Sequence, residues 1–181
     1  MNSLDVVNQL RKDIESIVNQ SINIMLTADA DIKFQHRMKI KDLAHVANKI
    51  SLISHGMVTK IYNAATDAAV GKAVTIRIQK THKTSAPYIP AVDGDEMIYI
   101  LRKRLQYLVR YEFELARKWV IQMRLPSNMH ECMNTIDAYM LFAEELKLLP
   151  ECDIQHTRAV QNACRQGNFS IININYHLRG M

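Results

Sequence analysis

The feature that most constrains this chain is a helical pattern that runs without proline or glycine over residues 95–125. At 3.6 residues per turn it carries two adjacent apolar rows. The first row, interrupted by Glu112, is Ile98, Leu101, Leu105, Leu108, Leu115 and Trp119, and the second is Val109, Phe113, Ala116, Val120 and Met123. Such a broad stripe is typical of a core helix and exceeds a coiled-coil seam. At ~1.5 Å per residue the helix would span about 46 Å, so we expect it to be the central helix or to kink.

Helical spacing predicts further helices before and after this one, at about 4–26, 39–54, 57–70, 128–148 and 152–166. Gly56 is predicted to end the second helix and Gly71 the third, because glycine adopts the left-handed conformation common at helix ends. Asp93, with Glu96 three residues later, predicts a cap for the long helix, and Ser127 is predicted to cap the next one.

Two stretches instead alternate apolar and polar residues with the period of a strand, residues 74–79 and residues 171–178. An isolated strand leaves its backbone groups unpaired, so we predict that the two pair with each other. Residues 80–94, with two prolines and a glycine, are predicted to form an exposed loop. The predicted fold is mainly α, with residues 1–181 forming a single-domain helical bundle around a long central helix and a small two-stranded β ribbon.

Composition places the chain among soluble proteins. With 181 residues, 48% hydrophobic and 23% charged, it is long enough for one domain with a real core. No apolar run is long enough to span a membrane, and the N-terminus lacks the apolar region of a secretory signal. Its cysteines, Cys132, Cys152 and Cys164, are too few for a disulfide framework. We therefore expect an intracellular protein of the cytoplasm or nucleus.

The motifs of common enzymes are missing. Gly71 and Lys72 lack the earlier glycine and the following Ser or Thr of a phosphate-binding P-loop. The chain also contains no nucleophile elbow, no paired-carboxylate site and no zinc-protease helix. We predict that the protein is not an enzyme and uses no cofactor.

Four residues in the last third have the side chains that zinc prefers: His130, Cys132, Cys152 and His156. Their spacings match neither a zinc finger nor a zinc ribbon, so they are weak metal candidates. Cys132 also shares a helix face with Met129, Met133 and Ile136, which favours a buried structural cysteine.

Two surfaces are candidates for binding a partner. Opposite the apolar stripe, basic residues recur every seventh position: Lys103, Arg110, Arg117 and Arg124. Because Glu114 lies four residues from both Arg110 and Lys118, we favour a solvated helix face over a protein-docking strip or a nucleic-acid rail. The second candidate is the polar side of the ribbon, where a partner strand could add at the open edge. Its residues are Arg77, Asn173, Asn175 and His177.

The stretches SIVNQSINIML (16–26) and NFSIININYHLRGM (168–181) are rich in Ile and Asn and poor in glycine. In this compositional texture the chain resembles the small accessory proteins of large insect DNA viruses, such as baculoviruses. Some proteins of that class regulate a viral protein kinase or join the nucleocapsid. The resemblance therefore implies a protein partner inside a host cell, and it transfers no functional residue to this chain.

These observations predict a non-enzymatic protein-interaction module, an adaptor or regulator of a larger partner, with self-association through the apolar stripe as a variant. The alternative is a basic nucleic-acid-binding protein, since the net charge is +5. It would use Arg77, Lys80, Lys83 and the row from Lys103 to Arg124, and its binding would weaken steeply with salt.

Overall fold

Six α-helices follow one another in the computed structural model, which describes residues 1–82 and 89–169. They are α1 (Ser3–Thr27), α2 (Ala30–Lys49), α3 (His55–Ala69), α4 (Gly94–Ile121), α5 (Pro126–Glu145) and α6 (Glu151–Arg165). The described residues include no β-strand, so the protein is mainly α, as predicted. The chain divides into two compact units, Met1–Ile100 (unit 1) and Leu101–Met181 (unit 2). The single-domain expectation stays a prediction.

In unit 1, helices α1, α2 and α3 pack against one another. α1 begins with a capping box: Asp5 N donates to Asn2 Oδ1 at 3.0 Å, and Asn2 N donates to Asp5 Oδ2 at 3.1 Å. Its buried side chains follow the helical period and form one face, Val7, Leu10, Ile14, Val18, Ile22 and Met25. Burial of that face against α2 and α3 holds the bundle together.

The predicted end of α2 was wrong. α2 stops at Lys49, and Gly56 lies in the first turn of α3, whose N-cap is Ser54. The chain turns instead at Ser51, which has a left-handed φ of 67°, and Leu52 N donates to Ala47 O at 2.8 Å. These backbone hydrogen bonds offset the cost of a left-handed non-glycine residue. Gly71, with φ of +83°, follows α3 as predicted.

The predicted β ribbon is not seen. Residues 74–79 form no strand, and residues 171–178 lie outside the described residues. The period-two pattern is present in the burial of 74–79, since Ile76 is buried while Thr75 and Arg77 are exposed. Such alternation indicates a segment with one side packed against another element, and here that element is helix α1.

Side chains of α1 bind the backbone of residues 74–81, the segment that we call the strap. Asn19 Nδ2 donates to Ile76 O at 2.9 Å, and Ile76 N donates to Asn19 Oδ1 at 2.8 Å. Asn8 makes the same pair of bonds with Thr81, at 2.9 and 3.0 Å, and Ile78 N donates to Glu15 Oε2 at 2.6 Å. An asparagine side chain carries the donor and acceptor of a peptide group, so it replaces a neighbouring strand.

The start of α4 joins the N-terminus of the chain. Gly94 N donates to Met1 O at 2.9 Å, and a Cβ atom on Gly94 would lie 2.9 Å from that same oxygen, so this contact requires glycine. Asp93 caps α4 by accepting a hydrogen bond from Glu96 N at 2.8 Å, as predicted. Of the predicted exposed loop 80–94, residues 83–88 lie outside the described residues, and Ile89 is buried.

In unit 2, α4 buries Leu101, Leu105, Val109, Phe113 and Ala116. The inner face therefore takes residues from both predicted rows. Leu108, Leu115 and Trp119 are half-buried, and Met123 is exposed. α5 and α6 pack against each other. Between them, the buried Gln161 donates through Nε2 to Met133 O at 3.0 Å and to Asp137 Oδ1 at 2.8 Å.

The turn between α4 and α5 differs from the predicted one. α4 ends at Ile121, and Arg124 has a left-handed φ of 54°. Pro126 occupies the first turn of α5, and no side chain caps that helix, so the prediction that Ser127 caps it was wrong. Proline suits this place because the amide it lacks would have no partner within the helix. The central position of α4 in the molecule stays a prediction.

Candidate docking surface on helix α4

The outward face of α4 in unit 2 combines aromatic and basic side chains at helical spacing. We call this face the α4 strip, and its residues are Lys103, Tyr107, Arg110, Tyr111, Glu114, Arg117 and Lys118. Tyr107 is 70% exposed and Tyr111 is 52% exposed. Residues four apart are neighbours on a helix, so the two tyrosines stand side by side. The strip therefore presents two rings to solvent on a rigid element.

The charge of the α4 strip is mainly positive. It holds four basic side chains and one acid, Glu114. Arg110 Nε lies 3.1 Å from Glu114 Oε1, and both side chains are mostly exposed. This is the i,i+4 pair of a solvated face, and such pairs stabilise by only about 0–1 kcal/mol. Arg117 and Lys118 are also exposed. The ion pair between Arg110 and Glu114 uses the single acid of the strip, so the strip keeps a net positive charge.

Apolar side chains extend this surface beyond the helix end. Ile121, Met123 and Leu125 are all exposed. Single exposed apolar residues are common on soluble proteins, but several close together in the chain mark a surface suited to a partner.

The structure separates the predicted partner-binding residues. Lys103, Arg110 and Arg117 lie on the α4 strip, whereas Arg124 lies past the end of the helix. Arg77 is exposed on the strap in unit 1. The other three, Asn173, Asn175 and His177, lie outside the described residues.

The basic residues at every seventh position were identified from the sequence, whereas Tyr107 and Tyr111 were not. The signal was present: Tyr107 and Tyr111 are four apart and fall outside both apolar rows. An aromatic pair on the polar side of an amphipathic helix is difficult to explain by packing and would have pointed to this surface.

The weak metal candidates do not form a site. Among the described residues no three His, Cys, Asp or Glu side chains are grouped as metal ligands. His130, Cys152 and His156 are exposed, and Cys132 is buried, as its helix face predicted. Burial, followed by the nearby carboxylate of Glu112, raises the pKa of Cys132 to about 12. Glu112, which interrupts the apolar row, therefore faces a thiol.

None of the helices in the described part of the chain has the length and apolar character needed to cross a membrane. Comparison with known proteins gave no match: no family model, no curated protein and no solved structure is similar to this chain. Function is therefore inferred from the side chains themselves.

Proposed function

We propose that the protein is a non-enzymatic interaction module whose α4 strip docks an acidic segment of a partner protein. The observation that carries the proposal is the pair of exposed rings, Tyr107 and Tyr111, set among basic side chains. Tyrosine and arginine are enriched at protein interfaces. Tyrosine buries a large area with only two rotatable bonds, and arginine donates several hydrogen bonds from a planar guanidinium. Docking would remove both rings from water.

Charge complementarity supports an acidic partner. The α4 strip holds four basic side chains and one acid, Glu114. Three of the basic side chains are exposed: Arg110, Arg117 and Lys118. A second copy of this chain that paired strip against strip would bring the same positive charge and be repelled. For nucleic acid, Glu114 lies in the middle of the row and pairs with Arg110, which weakens the continuous phosphate track that such binding needs.

The effect on the partner would be a shift of equilibrium. A module that binds one conformation of a partner more tightly than another raises the population of that conformation. The resemblance to insect-virus accessory proteins makes a viral protein kinase or a nucleocapsid protein the first candidate partner.

The test is site-specific photocrosslinking in cells that naturally produce the chain. A photoreactive phenylalanine analogue replaces Tyr107 in one variant and Tyr111 in another. The control carries it at Asn162, an exposed position on α6 of the same unit. We expect one protein to crosslink at both tyrosine positions and not at Asn162, through a peptide rich in Asp and Glu.

A charge-reversal pair completes the test. Arg117→Glu should lower the crosslinking yield at Tyr107 by about threefold or more, because it places an acid against the acidic segment. Lys147→Glu, the same charge change at another exposed site of unit 2, should leave the yield unchanged. Crosslinking to nucleic acid, to a second copy, or equally at Asn162 would overturn the proposal.

A further inference from the structure

A buried arginine in unit 1 has hydrogen-bonding groups that the described fold does not use. Arg11 on α1 is only 6% exposed. Its Nε donates to Leu52 O at 2.7 Å, while its two terminal nitrogens have no hydrogen-bond partner among the described residues. No carboxylate pairs with it there, and burial alone lowers its pKa. An arginine buried to this extent without a paired acid is unusual, because desolvation is costly. Its terminal nitrogens are not among the fully enclosed unpartnered atoms of the described residues, so they face open space.

Arg11 lines a cavity of about 350 Å³ that carries positive charge. Lys60 of α3 and Arg77 of the strap also line it, and no Asp or Glu is among its described lining residues. Glu15, one turn after Arg11, accepts a hydrogen bond from the strap at Ile78 N and forms no ion pair with Arg11 in the described structure. Three cations thus line this cavity with no carboxylate among its described lining residues, while Arg11 also lines a neighbouring cavity together with Asp5 and Glu15.

The amino-terminal end of α3 opens at the same cavity. Ser54 and Gly56 line it, and Ser54 Oγ accepts a hydrogen bond from Met57 N at 3.2 Å. The backbone N–H groups of His55 and Gly56 have no hydrogen-bond partner in the described part of the chain. A Cβ atom on Gly56 would approach only Ser54 Oγ, at 3.9 Å, so the backbone is accessible. Free N–H groups at a helix start attract anions.

We propose that this cavity binds the phosphate group of a phosphomonoester. The phosphate would accept hydrogen bonds from the Arg11 guanidinium and from the amide of Gly56, with Lys60 and Arg77 completing the neutralisation. A phosphomonoester carries about −1.5 to −2 charges near pH 7, which suits three cations better than the single charge of a phosphodiester. The cavity is about ten times larger than the volume share of one water molecule, so part of the carrier fits with the phosphate.

This site is separate from the α4 strip, which lies in unit 2, so each proposal can fail alone. The test follows the amide resonances of the full-length protein by NMR at pH 7.5 during titration with N-acetyl-O-phosphoserine amide. We expect saturable shifts at His55 and Gly56. Parallel titrations use inorganic phosphate, to distinguish free from esterified phosphate, and dimethyl phosphate, a diester; the diester should bind at least about tenfold more weakly.

Substitutions test the cations. Arg11→Met should weaken binding by about tenfold or more, since it removes a charge-assisted hydrogen bond. Because that change could disturb the fold, Lys60→Met with Arg77→Met provides a second test at two exposed positions, with the same expected loss. Lys12→Met is the matched control: Lys12 adjoins Arg11 but does not line this cavity. Unsaturable shifts, equal binding of the diester, or full binding by the double variant would overturn the proposal.

Discussion

Individual residues of unit 2 show how burial sets chemical reactivity. Cys132 and Cys164 are buried and Cys152 is exposed. Burial raises the pKa of Cys132 to about 12, with help from Glu112, and raises that of Cys164 to about 11. A raised pKa keeps a thiol protonated until the pH approaches that value, and only the thiolate is nucleophilic. Both buried cysteines should therefore react slowly near neutral pH.

We expect one fast-reacting thiol per native chain. At pH 8 only about one in ten thousand Cys132 side chains and one in a thousand Cys164 side chains would be thiolate. Absorbance with a disulfide reagent should show one fast phase, which Cys152→Ser abolishes and Cys164→Ser preserves. A second fast thiol in the native protein would contradict this, and the slow thiols should speed up as the pH rises toward 11.

At the scale of elements, the strap is held by a helix in place of a strand. Asn19, Glu15 and Asn8 share one face of α1. They bind the backbone of the strap at residues 76, 78 and 81, in that order. Ile76 is buried where Asn19 binds both its N–H and its C=O. Loss of that side chain would leave two part-buried backbone groups without partners, which is costlier than the loss of an exposed hydrogen bond.

Asn19→Ala should lower the free energy of unfolding by about 1–3 kcal/mol, measured by urea denaturation. The matched control is Asn23→Ala, one turn later on α1, where the side chain is exposed and forms no hydrogen bond in the described structure. It should change stability by less than about 0.5 kcal/mol. Equal effects of the two substitutions would mean that the strap contributes nothing to stability.

At the scale of the molecule, the two compact units raise the question of cooperativity. α4 runs without a break from Gly94 to Ile121 and so supplies residues to both. When one part of a continuous helix unfolds, the adjoining turn loses hydrogen-bond partners, which destabilises the part that belongs to the other unit. The single-domain prediction therefore implies that both units unfold together.

Ile14→Ala tests this coupling. Ile14 is fully buried in unit 1, and the substitution should cost about 2–5 kcal/mol, whereas Ile24→Ala at a partly exposed site should cost less than about 1 kcal/mol. Fluorescence of Trp119, the single tryptophan, reports on unit 2. In Ile14→Ala, we expect the urea midpoint measured by Trp119 fluorescence to fall as far as the midpoint measured by far-ultraviolet circular dichroism. A fall in the dichroism alone would mean that the units unfold independently.

The sequence by itself determined the helices and several of their ends. Apolar spacing of 3.6 residues, the Asp93 cap and the glycine after α3 depend on neighbours within one or two turns, so they can be recognised without the rest of the fold. It also indicated the basic face of α4, because residues three and four apart must share a side of a helix.

Tertiary structure decided which surfaces these elements meet. The alternation in 74–79 predicts a segment with one buried side, but a strand and a row of α1 side chains satisfy its backbone equally well, and only packing selects between them. Packing also determines the surroundings of Arg11. This residue of α1 lies beside the start of α3, which is far from it in the sequence. Local hydrogen bonding determines elements, whereas long-range packing determines what each one buries or exposes, and the proposed sites depend on the latter.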